Sequence, residues 1–280
     1  MTEPEQQSLL ESALPVLPGI DVLASSTRSI LTRATGFMAE YDYTLNPYTG
    51  CTFGCSYCYA AFFVRDAGLV DSWGRWVTIK EQAADAIRRA RRDLRGASIY
   101  MSSVTDPYQP IERQTELTRS ILEALIPHQP RLVIQTRGPL VTRDIDLLGS
   151  FEELRVNMTI TTDSETVRMA FEGRCPSNAQ RLGAATTLVG AGIDVDITMT
   201  PLLPIESPFA FAEAVAATGA DHFVVQPFHL GEGRFVAGTR DGAVQVARDL
   251  GWDQARYEEA VEALRARLPN LTEGRQGFAP

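Results

Sequence analysis

The stretch CTFGCSYCY, Cys51 to Tyr59, holds three of the four cysteines in a chain of 280 residues. A chain this poor in cysteine is not stapled by a disulfide framework, and clustered thiols without one point to metal binding or catalysis. The spacing is Cys-x3-Cys-x2-Cys, and thiolates suit zinc and iron–sulfur clusters. A structural zinc takes four protein ligands. Beyond the loop the candidates are Cys175 and the three histidines His128, His222 and His229, all remote in sequence. A dithiol redox pair drawn from Cys55 and Cys58 leaves Cys51 without a role. A [4Fe–4S] cluster held by three thiolates leaves one iron open to a further ligand.

Outward from this loop, short apolar runs alternate with helix-like ones. TLNPY (44–48) precedes the cysteines, and the spacing predicts a helix over Ile79–Leu94. ASIYM (97–101) is followed by a helix at Glu116–Leu125, and RLVIQT (131–136) by a helical turn near Asp144–Leu148. LRVNMTIT (154–161) precedes a helix at Ser177–Val189, and IDVDITM (193–199) one at Phe209–Ala217. DHFVVQ (221–226) reads as the last strand, and Gln254–Leu268 as the final helix. Such alternation implies βαβ units and a parallel α/β sheet. About six units fall short of the eight in a full barrel, so the expected fold is an open, partial (β/α)6-type barrel. The expected division is a leader over 1–40 that packs on the body, the barrel over 41–230 and a helical extension over 231–280. Polar loops such as SSVTDPYQP, TRGP and TTDSET follow the apolar runs. In parallel α/β architectures that end of the sheet is the active face.

Cys51-Thr-Phe-Gly-Cys55-Ser-Tyr-Cys58, with the aromatic Tyr57 before the last cysteine, resembles the signature of the radical S-adenosylmethionine (SAM) superfamily. The wider frame NPYTGCTFGCSYCYA with YMSSVTDPYQP resembles the branch related to spore photoproduct lyase, over roughly Asn46 to Pro204. The resemblance implies a partial barrel carrying one [4Fe–4S] cluster on Cys51, Cys55 and Cys58, with SAM on the open iron. It implies that one electron cleaves SAM to methionine and a 5′-deoxyadenosyl radical that takes hydrogen from substrate. It also implies a SAM-binding set. Arg137 after Thr136 would face the carboxylate, Ser103 and Thr159 would offer hydroxyls, Val195 and Ile197 would lie on the adenine strand, and Tyr57 would add backbone contacts. A one-electron reductant such as flavodoxin or ferredoxin is the implied partner.

In that branch a hydrogen-donating cysteine precedes the SAM-contacting serine, and here the position is Ser102. Cys175 then becomes the candidate hydrogen-atom donor, set against the bland reading of a buried apolar cysteine. Asp106, Tyr108, Gln109, Asp163, Arg174 and His229 form a candidate polar substrate set. Two enzyme readings follow: an isomerase of epimerase type acting on a small polar or nucleoside-like substrate, and a DNA-lesion lyase. A zinc or dithiol binding module is the non-enzyme alternative. Net charge of −9 argues against a protein that coats nucleic acid, although Arg88–Arg95 is strongly basic and reads as a solvated helix face. No apolar run is long enough to span a bilayer and the N-terminus has no signal-peptide pattern, so a cytoplasmic location is expected.

Overall fold

The apolar runs become the strands of one curved sheet. The structure, a computed structural model, describes residues 14–228 and 239–280. In chain order its strands are β1 (Asp21–Ser26), β2 (Leu31–Arg33), β3 (Tyr43–Leu45), β4 (Tyr48–Thr49), β5 (Trp76–Glu81), β6 (Ser98–Met101), β7 (Arg131–Thr136), β8 (Leu154–Thr159), β9 (Asp194–Met199), β10 (His222–Val225) and β11 (Leu271–Glu273). Eight of them form the main sheet in the order β11-β10-β9-β8-β7-β6-β3-β2. All neighbours from β3 to β11 are parallel, and β2 runs antiparallel to β3. The sheet is open, with β2 and β11 at its edges. This is the partial barrel expected from the sequence. The leader does more than lie on it, because β2 belongs to the sheet. β1 joins β5 and β4 in a separate three-stranded sheet.

Strand register sorts the side chains. Ile99, Ile134, Val156, Met158, Ile197 and Val225 fall on the outer face, where all are 0% exposed under the helices. The inner face is polar. Tyr100 Oη donates to Gln135 Oε1 at 2.7 Å, and Gln135 Nε2 donates to Thr159 Oγ1 at 2.6 Å and Thr198 Oγ1 at 2.9 Å. That string crosses four adjacent strands.

An apolar plug shows the curl. Strands spaced about 4.8 Å apart would put β6 and β10 about 19 Å apart in a flat sheet. Yet Phe278 shares one buried cluster with Tyr100 on β6 and Val224 on β10. Its ring centroid lies 6.5 Å from that of Tyr100, and Tyr41 stacks edge-on against Tyr100 at 5.1 Å. The floor of the barrel is therefore closed by residues from both ends of the described chain.

The sequence pattern misplaced some elements. The helix expected over Ile79–Leu94 is divided: Ile79 to Glu81 finish β5, Gln82 turns in the left-handed region at φ +60°, and only Ala83–Arg88 is helical. β-Branched and aromatic residues in WVTIKE pair with β1 and take that segment from the helix. Most of the Arg88–Arg95 run consequently lies beyond the helix. The helix Glu165–Glu172 and the short strand β11 are additional elements.

Phe278→Ala is expected to cost about 3 kcal/mol or more, since it empties an aromatic site that is 6% exposed. Urea unfolding checks this, and an unchanged midpoint would show that the plug does not hold the barrel floor.

Candidate active site

The cysteine loop lies just past β4, beside the carboxyl ends of β3 and β6. Cys51 and Cys55 are buried and Cys58 is partly so. The loop can pack this closely because of its glycines. Gly54, between Phe53 and Cys55, has φ +58°, and a Cβ there would come within 2.9 Å of the Gly74 Cα. Only glycine meets both demands without strain. Gly50 is pressed against the Trp76 ring in the same way, at φ +79°.

Side chains from the loop after β6 hold the cysteine loop. Gln109 Oε1 accepts from Thr52 N at 2.8 Å, and Gln109 Nε2 donates to Thr105 Oγ1 at 3.1 Å and Gly50 O at 3.3 Å. Ser56 N donates to Phe171 O at 2.8 Å, which ties the loop to the helix Glu165–Glu172. Tyr59 Oη donates to the Ser103 carbonyl.

Behind Cys55 lies an ion network. Arg137 Nη1 is 3.1 Å from Cys55 Sγ, 2.8 Å from Tyr57 Oη and 2.6 Å from Glu172 Oε1. Glu172 has no solvent exposure; it accepts from Thr161 Oγ1 at 3.0 Å, from Tyr57 Oη, and from Arg181 Nη2 at 2.5 Å. Burial raises the Glu172 carboxyl pKa, but Arg181 and Arg137 outweigh it and hold the group at about 2. Cys175 Sγ lies 3.5 Å from Cys55 Sγ and is itself buried. The hydrogen bond from Cys175, opposed by burial and helped by Arg137, brings the Cys55 thiol pKa below its ordinary value. Burial pushes the other thiols up, Cys58 to about 12 and Cys51 and Cys175 well above the ordinary thiol value.

The remaining sequence candidates are placed as follows. Ser103 Oγ accepts from Asn46 Nδ2 at 3.3 Å. Thr159 Oγ1 is engaged by Gln135 and lies 3.1 Å from Thr198 Oγ1. Val195 and Ile197 point outward into the core, and their strand is bonded on both sides by β8 and β10. Asp106 accepts from Tyr108 N at 2.9 Å, Thr136 Oγ1 at 2.7 Å and Arg137 N at 2.8 Å, so it fastens the loop after β6 to the end of β7. Tyr108 is buried, and a Cβ on Gly138 would come within 2.6 Å of its carbonyl. Asp163 accepts from Glu206 N and Ser207 N, each at 2.8 Å, and Arg174 donates to the Gly74 carbonyl. Asp106, Gln109, Asp163 and Arg174 of the candidate substrate set are thus each engaged in a loop-to-loop contact. His229 lies outside the described residues. Glu172 and Arg181 were missed, although Glu172 has a signal: a charge on the apolar stripe of its helix beside Val167, Arg168 and Phe171.

Residues 45–216, more than half of the chain, match the family model of the radical SAM superfamily. The chain belongs to that superfamily. An uncharacterized protein of Methanocaldococcus jannaschii is 38% identical over 162 residues, covering 58% of this chain and 61% of its own length. An uncharacterized protein of Mycobacterium tuberculosis is 27% identical over 229 residues, covering 77% of this chain and 67% of its own. The chain thus spans about three fifths of the archaeal relative. Its fold is similar to that of spore photoproduct lyase bound to dinucleoside spore photoproduct, with TM-score 0.61 and 17% identity over 90% of this chain and 81% of that one. Radical SAM enzymes use a [4Fe–4S] cluster and SAM and need a reductant. Spore photoproduct lyase has also been solved with bound SAM. The chemistry of the donor set suits the cluster, with three free thiols carried on one loop, although among the described residues no three His, Cys, Asp or Glu side chains are gathered to hold a single metal ion. Among the described residues no helix is long and apolar enough to cross a membrane.

Glu172→Gln should destabilise the fold by about 3–5 kcal/mol, because it leaves two guanidinium groups without their buried counter-charge. The folded pKa lies below the ordinary carboxylate value of 4.5. The stabilisation is therefore present above about pH 4.5 and is lost as pH falls toward about 2. Denaturation midpoints measured across that window should fall more steeply for the native chain than for the variant; parallel curves would contradict the assignment.

Proposed function

We propose that this chain is a radical SAM enzyme acting on a small polar or nucleoside-like substrate in a redox-neutral step of isomerase type. The observation that carries the radical SAM part of this reading is the placement of Cys51, Cys55 and Cys58 on one glycine-bound loop beside the carboxyl ends of the parallel strands, with Arg137 at Cys55. Ser102, where the lyase branch has its donor cysteine, and the net charge of −9 favour a small substrate over a DNA lesion. When bound, the cluster and SAM supply a 5′-deoxyadenosyl radical that takes a hydrogen atom from substrate. The chain's own part is to hold and shield these groups. Cys51, Cys55 and Cys58 would ligate the cluster. Arg137 makes its contacts through Nη1, and its remaining guanidinium edge would meet the SAM carboxylate as a charge-assisted fork. Ser103, fixed by Asn46 and Tyr59, would line the same end of the sheet. The hydrogen-donor role considered for Cys175 needs a thiol open to substrate. Cys175 is 7% exposed and in contact with Cys55, so the proposal does not use it for that step.

Anaerobic reconstitution should give iron and sulfide equal to one [4Fe–4S] cluster per chain, and reductant plus SAM should release 5′-deoxyadenosine. Arg137→Ala should weaken SAM binding about tenfold or more at full iron content, given the worth of a charged hydrogen bond. Stoichiometric zinc without visible absorption would defeat the reading. A second reading, a DNA-lesion lyase, is favoured by the fold similarity and by a surface cavity of about 210 Å³ lined by Arg28, Arg89, Arg91 and Arg92. Turnover of dinucleoside spore photoproduct would select it.

A further inference from the structure

We propose that Arg137 and Cys175 act together on the sulfur of Cys55, so that one ligand of the cluster differs from the other two and raises the cluster's reduction potential. This rests on the reading that Cys55 ligates the cluster. It goes beyond it by giving Arg137, beside its contact with SAM, and Cys175 an effect on one cluster sulfur.

The geometry is asymmetric. Cys55 Sγ has two side-chain donors, Arg137 Nη1 at 3.1 Å and the Cys175 thiol at 3.5 Å. Among the described residues no side chain donates to the sulfur of Cys51 or Cys58. A ligating Cys55 is a thiolate. Of the two sulfurs in contact, only Cys175 then has a proton to share, and its other acceptor, the Phe53 carbonyl, is farther off at 3.8 Å, so the hydrogen bond runs from Cys175 to Cys55. A fourth-ligand role for Cys175 does not fit, because ligands of one cubane bind different irons and stand well apart, whereas these sulfurs touch.

Both donors are fixed in place by the same segment. Glu172 Oε1 holds Arg137 Nη1 at 2.6 Å, and Arg181 holds the other carboxylate oxygen at 2.5 Å. Cys175 N donates to Glu172 O at 2.8 Å, and Arg168 Nη1 donates to Cys175 O at 2.8 Å and Glu172 O at 3.2 Å. The end of the helix Glu165–Glu172 therefore aims a cation and a thiol at one sulfur. Hydrogen bonds to cluster sulfurs are a main determinant of potential. A guanidinium and an S–H donor withdraw charge from the thiolate and favour the reduced cluster.

The test is a redox titration of the reconstituted full chain without SAM, followed by electron paramagnetic resonance, alongside iron and sulfide analysis. Arg137→Met and Cys175→Ala should each shift the midpoint to more negative potential at full iron content. Arg137→Lys and Cys175→Ser, which keep a donor, should shift it less. Wild-type protein needs no substitution for a second readout: exchange into deuterated water should move its Fe–S(Cys) resonance Raman bands. Midpoints equal to wild type at full iron content would overturn the proposal. If the variants lose their cluster, wild-type Raman bands that ignore deuterium, or that all move alike as backbone donors would make them, overturn it, and a deuterium shift concentrated in one Fe–S(Cys) mode supports it. A wild-type cluster indifferent to SAM that becomes SAM-sensitive in Cys175→Ala would make Cys175 a ligand and overturn it too. A chain that takes up no iron at all would defeat the cluster reading itself, an outcome the iron analysis distinguishes from the others.

Discussion

Glu172 is a carboxylate with no contact to water, held between the guanidinium groups of Arg137 and Arg181. Removing ions from water costs several kcal/mol each, and the cost is recovered only where geometry is close and the remaining lone pairs have donors. Here one oxygen takes Arg137, Tyr57 and Thr161, and the other takes Arg181. Each of these groups belongs to a different part of the chain: the cysteine loop, the end of β7, the segment after β8 and the helix Asn178–Gly190. A shift in any one would leave a buried charge short of a partner. The carboxylate therefore fixes the cysteine loop to the active face more tightly than apolar contact would.

The cysteine loop is confined from the other side by backbone. Gly54 meets Gly74 at a distance that admits no side chain, and Gly50 meets Trp76 of β5. Gln109 and Thr105 supply the hydrogen bonds that the irregular loop cannot make to itself. The small sheet of β1, β4 and β5 thus serves as a wall for the loop, and the polar string from Tyr100 to Thr198 lines the barrel behind it.

Much of the fold was legible because its signals are local. β7 matches the apolar run RLVIQT residue for residue, and the helix Asn178–Gly190 begins at Ser177, whose side chain closes a capping box with Gln180. Burial patterns failed where partners decide the structure. WVTIKE becomes a strand because β1 lies beside it, and Leu271–Glu273 is three residues whose only claim to be a strand is its pairing with β10. In the site, Asp106 and Gln109 have the chemistry of substrate-binding residues, but the structure commits both to bracing loops.

The sequence by itself determined the family, the three clustered thiols and the parallel α/β plan, because each rests on spacing within one segment. Tertiary structure alone decided that Cys175 lies against Cys55, 120 residues away, and that Arg137 donates to the same sulfur. No periodicity reports such contacts. They follow from how β7, the cysteine loop and the helix Glu165–Glu172 meet around one buried carboxylate, and a meeting of three distant segments is written in no single one of them.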